Sequence, residues 1–418
     1  MRTRFNALFL LLLFGAASGA EAQVDPQLAQ RYFQEARTLC ERDAGRLWGV
    51  SLCGPMVIFD QATGTRARSQ PEPEGPPPRF TGQADGPVSW GGLRWFAWPL
   101  WMLPDSDADV RQQNMLHGLF HRIQPELEFS QGNGEGFNEH LDTFEGRFWI
   151  QLEWRALRRA LESSGSDRSE AIADALAFRR ERRRLFPGAA DNERRDEIRE
   201  GLASYTGIAA WANSPADARR AAASALTGGE WSFVGNFEAA SGPAYGVLLD
   251  ELMPEWRRQL RSTSDLGDML ASTADRPPMA DLPAAAVRYD GATLRAAEEA
   301  RDRAHQIRVA ELRQRFVDGP VLTMPAGGSG TFDTRGSVGI PGVGTVLFNN
   351  FTLSAQWGRL NADSGVLRGA DGRTLSVPVT RPLEGTTLQG DGWRATLNPG
   401  WVVRPAARPG SFTIVREQ

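Results

Sequence analysis

The 418-residue sequence contains no lysine; every basic side chain is an arginine. That absence excludes Schiff-base chemistry, serine–lysine dyads and the phosphate-loop lysine together. Cysteine is nearly as scarce. Cys40 and Cys53 cannot build a thiolate metal site alone, and in an exported chain such a pair is expected to close one disulfide around a short loop. Beyond the first two dozen residues there is no long apolar run, so the mature chain offers no candidate for an integral membrane span. The formal net charge of −4 gives no case for nucleic acid or an anionic surface as partner. The single dense basic run, Arg179 to Arg184, closes a helical pattern where cations complement the macrodipole, and is expected to be a solvated helix end. No G-x-S-x-G elbow occurs, and no G-x-G-x-x-G follows a strand.

What is present divides the chain into three parts. Residues 1–22 read as a signal peptide: Arg2 and Arg4, an apolar run from Phe5 to Phe14, and the small-x-small site Ala20-Glu21-Ala22 before Gln23. The mature protein is therefore expected to be periplasmic or extracellular. Residues 23–317 read as mostly helical, interrupted by a Pro/Gly-rich surface loop over 65–87 and by one or two strands over Val88 to Pro104. That strand region carries tryptophans at 90, 95, 98 and 101, which favour a packed core over a carbohydrate platform. Residues 318–418 turn glycine-rich with short alternating runs at 351–355, 374–379, 393–397 and 412–415. Turn signals stand at Asp371-Gly372 and Asp391-Gly392. The fold class is α+β, a mostly helical domain followed by a small all-β sandwich or barrel.

Chemistry concentrates in the helical part. Ser106-x-x-Asp109 resembles a capping box. Leu116, Leu119, Phe120 and Ile123 then follow the spacing of one buried helix face until Pro125 stops it. His117 and His121 lie on the adjoining stripe with Gln113 and Gln124, suitable for a cleft wall. At i and i+4, two imidazoles share one helix face and can meet on a single metal ion. Helices are expected over Asn138 to Glu162, from an Asp167-x-x-Glu170 cap to Phe186, and over Asp191 to Ala212. The last carries Glu200, with Glu197, Glu200 and Ser204 off its apolar stripe of Ile198, Leu202, Tyr205 and Ile208. Gly242 to Leu260 reads helical with a break at Pro254, and Thr293 to Val317 as a long charged helix on which His305 is solvated. Glu135, Glu139, Asp142 and Glu145 read as a solvated helix start rather than a glycosidase pair.

The order His117-x-x-x-His121, several helices, then Glu200-Gly-Leu-Ala-x-Tyr205 resembles the gluzincin zinc metallopeptidases, whose first helix carries HExxH and whose second supplies a glutamate ligand in an EGxAxY-like run. Gly242-Pro243-Ala244-Tyr245-Gly246 looks like the helix behind such sites. The resemblance covers about residues 88 to 260. It implies a zincin-like domain with one zinc ion on His117, His121 and Glu200. His140, Tyr205 and Tyr245 would be auxiliaries, and Glu197 an outer support. The sequence departs at the decisive place: Gly118 stands where the family has its general-base glutamate. Glu126, Glu145 or a substrate carboxylate could enter that gap, and Gly118→Glu could restore hydrolysis. The expectation is a pseudoenzyme: zinc-binding, weak or inactive in catalysis, holding a peptide or protein in the former cleft. The alternative is a non-enzymatic envelope binding or scaffold protein that recognises its partner through the β domain.

Overall fold

The computed structural model describes residues 24–60, 63–78, 86–127, 138–227, 233–273, 281–332 and 337–417. Residues 1–22, expected to be a signal peptide, and Glu135 lie outside these. The chain divides into two compact units, residues 1–295 and 296–418. No helix among the described residues is long and apolar enough to cross a membrane.

The first unit opens with α1 (Pro26–Asp43), started by Asp25, whose carboxylate accepts from the Gln27 N–H. Cys40 near its end is bonded to Cys53. Four strands follow, β1 (Met56–Phe59), β2 (Arg66–Arg68), β3 (Gly86–Trp90) and β4 (Leu93–Pro99), in the sheet order β2-β1-β4-β3, with β1 parallel to β4. The region expected to be loop over 65–87 therefore holds β2 and the start of β3. The three-residue β2 is too short to give a period-2 signal, and Pro87 masks the start of β3. Trp90, Trp95 and Trp98 are buried as expected, while Trp101 is exposed.

Helix α2 (Ala108–Ile123) carries both histidines of the pair. Its N-cap is Asp107 rather than Ser106: the Asp107 carboxylate accepts from the Val110 N–H. Leu116, Leu119, Phe120 and Ile123 are fully buried, which is the face their spacing dictates. A 3₁₀ turn, Gln124–Leu127, ends the rod at Pro125. Next come a 3₁₀ turn at Glu139–Asp142, α3 (Phe144–Glu162) capped by Thr143, and α4 (Gly165–Leu185). These helices start away from Asn138 and Asp167, because Thr143 Oγ1 accepts the Gly146 N–H in the first turn of α3 and Asp167 sits inside the first turn of α4.

The Glu200 rod has three stretches: α5 (Ala189–Asp196), a π turn over Glu197–Gly201, and α6 (Leu202–Trp211). The Leu202 N–H reaches the Glu197 carbonyl, five residues back. After α7 (Pro215–Ala225), α8 (Phe237–Leu252) packs against α6 and the π turn. Gly242 meets Gly201 backbone to backbone, and Gly246 meets the Tyr205 ring, so a Cβ at either position would collide. The smaller helices α9 (Trp256–Gln259), α10 (Leu266–Ala271) and α11 (Leu282–Arg288) follow, then α12 (Gly291–Arg313). His305 on α12 is half-buried rather than solvated.

The second unit takes in α12 from Ala296 on and, after it, a β sandwich. Its five-stranded sheet includes Gly328–Thr331, Phe351–Ala355, Gly358–Ala362, Thr387–Gly390 and Trp393–Leu397, and its seven-stranded sheet includes Val321–Pro325, Val366–Gly369, Thr374–Pro378 and Phe412–Arg416. Leu322, Val377 and Ile414 from one sheet share a core with Leu353, Leu360 and Ala395 from the other. All four strands expected from the sequence are present. Gly372 and Gly392 take positive φ at the two Asp-Gly turns, a region that favours glycine.

Candidate metal centre

Helix α2 presents His117 and His121 one turn apart, and the π turn brings Glu200 to face them. His117 Nε2 and His121 Nε2 are 3.0 Å apart. Glu200 Oε2 lies 3.1 Å from His121 Nε2 and 3.7 Å from His117 Nε2. A tetrahedral zinc centre with bonds of about 2.0–2.1 Å has ligand–ligand edges of about 3.3 Å. The three atoms thus stand at the separations a small cation requires. They are the one group of three or more His, Cys, Asp or Glu side chains with such convergence among the described residues.

The imidazoles are held from behind. His121 Nδ1 is 2.9 Å from Gln124 Oε1, and His117 Nδ1 is 3.3 Å from Ser204 Oγ. Such partners at the far ring nitrogen turn the Nε2 lone pair toward a metal. Burial alone would raise the Glu200 carboxyl, yet hydrogen bonds from His117 and His121 hold it well below the usual carboxylate range. Arg199 Nε adds a contact at 3.2 Å to the other carboxylate oxygen. Two imidazoles and one carboxylate, all half-buried, form a donor set suited to zinc.

Beside His117 opens a cleft of about 370 Å³, lined by Val110, Gln113, Asn114, Ser204, Ile208 and Ala239 among others. Of the expected cleft wall, Gln113 and His117 line this cleft, whereas His121, Gln124 and Glu200 do not. The wall is largely apolar, with the amides of Gln113 and Asn114 and the Ser204 hydroxyl among its polar groups.

The expected gap at Gly118 does not exist. A Cβ built there would lie 2.5 Å from Phe96 Cε1 and from Trp98 Cζ2. Phe96 also stacks on the His121 ring, with centroids 6.1 Å apart and planes 12° from parallel. Two rings of β4 occupy the space where a side chain after the first histidine would begin. Neither Glu126 nor Glu145 fills it, and Glu145 accepts a hydrogen bond from Trp149 Nε1 at 2.9 Å.

The remaining expected auxiliaries point elsewhere. His140 Nε2 sits 2.8 Å from Glu193 Oε1. Tyr245 donates to Glu153 Oε1 at 2.7 Å, and Tyr205 donates to Asp250 at 2.8 Å; both tyrosines are fully buried. They pack behind the centre and present no hydroxyl to it. Glu197 turns inward, taking two bonds from Arg179 at 2.7 and 2.5 Å.

That contact corrects the reading of the arginine run. Arg179 and Arg182 are buried, and Arg183 nearly so. They interlock with Glu153, Glu193, Glu197 and Asp265. Only Arg180 and Arg184 of the run reach solvent as expected. Burial would raise the Glu193 carboxyl, but Arg182, His140 and Arg183 hold it well below the usual range.

Glu238, in the first turn of α8, had no signal in the sequence. It is 6% exposed, and its Oε2 makes no hydrogen bond among the described residues. Burial, helped by the negative charges of Asp196 and Glu200, pushes its carboxyl up to about 8. No family model matches this sequence, and no curated protein and no solved structure matches it either.

Proposed function

We propose that this protein is an exported, zinc-binding relative of the gluzincin peptidases that has lost hydrolysis and holds a peptide in the cleft beside His117. The convergence of His117 Nε2, His121 Nε2 and Glu200 Oε2 within 3.7 Å carries the reading. Zinc held there would keep an open coordination position, able to take a carbonyl or carboxylate oxygen of a ligand. The position after the first histidine supplies no base, since Phe96 and Trp98 close it. Loss of that proton acceptor costs on the order of 10²–10⁴ in rate. Export is supported by the Cys40–Cys53 disulfide, which belongs to an oxidising compartment.

Elemental analysis of protein purified without a histidine tag tests the reading. About one zinc per chain, lost in His117→Ala and Glu200→Ala, together with no peptide hydrolysis, is the expected result. A metal-free protein that takes up no added zinc would overturn it.

A further inference from the structure

Gln124 joins the two halves of the centre. Its side-chain N–H groups donate to the carbonyls of Ile198 at 3.3 Å and Arg199 at 2.9 Å, both inside the π turn that presents Glu200. Its Oε1 lies 2.9 Å from His121 Nδ1. The residue is buried, 6% exposed. Two carbonyls can only accept, so they fix which end of the amide is nitrogen. With the nitrogen committed to the π turn, the oxygen must face His121. An amide oxygen can only accept, so His121 Nδ1 must carry a proton; in the charged ring Nε2–H then donates to Glu200 Oε2, 3.1 Å away, and in the neutral ring Nε2 presents a lone pair.

His117 is held differently. Its Nδ1 partner, Ser204 Oγ, is a hydroxyl that can donate or accept by rotating. Without metal, His117 is free to carry its proton on Nε2 and donate it across the 3.0 Å separation to His121. With metal, the Ser204 hydroxyl turns round and accepts. One imidazole is thus locked and the other adapts.

We propose that Gln124 is the positioning residue of this centre: its amide locks His121 as the Nδ1–H tautomer and registers the Glu200 turn against the histidine helix. A wider π turn supplies the opportunity, because carbonyls released from regular α-helical bonding need donors. The proposal rests on the metal-binding reading for its consequence, but the tautomer lock stands without any metal.

The test is ¹⁵N NMR of the histidine rings in metal-free protein at alkaline pH, paired with zinc titration. In the wild type, His121 is expected as the Nδ1–H tautomer, the minor form of free imidazole. Gln124→Met removes both functions, and His121 should shift toward Nε2–H while zinc affinity falls about 10–100-fold. Gln124→Glu keeps an acceptor for His121 but faces two carbonyls with no donor. Its tautomer should be retained while affinity still falls, separating the lock from the registration. An Nε2–H tautomer in the wild type overturns the proposal, whether or not the variants fold. So does a Gln124→Met protein with unchanged tautomer and unchanged zinc affinity. A wild type that binds no zinc yet shows the Nδ1–H tautomer sinks the metal reading and leaves the lock intact.

Discussion

Trp98 stands against Gly118: the edge of its indole ring lies 2.5 Å from where a Cβ on that glycine would be, and Phe96 lies equally close from the same strand. The pairing explains a residue that gives α2 neither side-chain chemistry nor helix propensity. Alanine there would gain about 1 kcal/mol of helix propensity. Overpacking against two fully buried rings costs typically about 1–3 kcal/mol. Gly118→Ala should therefore lower stability in urea unfolding. Gly118→Glu should lower it further and should yield no peptidase activity. Stable Gly118→Glu protein that hydrolyses peptides would mean that the rings move aside and the base alone is missing.

Glu238 sets a pH dependence. Its carboxyl is raised in the folded state, mainly by burial, to about 8, against 4.5 for an unperturbed side chain. The folded protein then holds a proton that the unfolded chain has released. That contribution is complete below about pH 4.5 and is lost as pH rises through about 8, with a limiting slope of roughly 1.4 kcal/mol per pH unit. In metal-free protein, Glu238→Gln should melt higher than wild type at pH 8.5, with the difference vanishing near pH 5. Melting curves across that range check the sign; parallel profiles would show that the side chain titrates normally.

The arginine cluster divides one run into two classes. Arg182 is fully buried between Glu153 and Glu193, whereas Arg184 is largely exposed beside Glu181. Removing one partner of a buried charge group strands the others and costs about 3–5 kcal/mol. Arg182→Met should fall in that range in urea unfolding. Arg184→Ala should stay within about 1 kcal/mol, as exposed pairs do. Equal effects would contradict the burial assigned here.

Much of the centre could be read from the residues, because the histidine spacing fixes one helix face and Glu200 lies off the apolar stripe of its own helix. Gln124 was visible on the histidine stripe, but its task was not, since it depends on a π turn that no apolar period announces. The arginine run misled for a similar reason. Its partners Glu153 and Asp265 come from other helices, and charge density along the chain does not say whether carboxylates wait across the interface. Gly118 as a vacancy was the natural inference from one helix alone. The rings that fill it arrive from β4, about 20 residues earlier, and their tryptophan pattern gave burial without saying against what. The β sandwich was easier, because alternation and Asp-Gly turns are local signals.

The disulfide contributes to the same neighbourhood. Cys40 and Cys53 are 13 residues apart, and a loop of that length corresponds to about 3 kcal/mol in the chain-entropy account. Arg122, next to His121, donates to the carbonyls of Ser51, Leu52 and Cys53. The double replacement Cys40→Ser, Cys53→Ser should lower the unfolding free energy by roughly that amount and weaken zinc binding, both measurable by titration. Unchanged zinc affinity would show that the loop does not support α2.

The central claim is most directly tested by isothermal titration of the chelator-treated protein with zinc, alongside His121→Ala and Glu200→Ala. The account predicts one site per chain, abolished in both variants while the fold persists by circular dichroism. A titration without heat or stoichiometry in the wild type, or one unchanged in either variant, would contradict it.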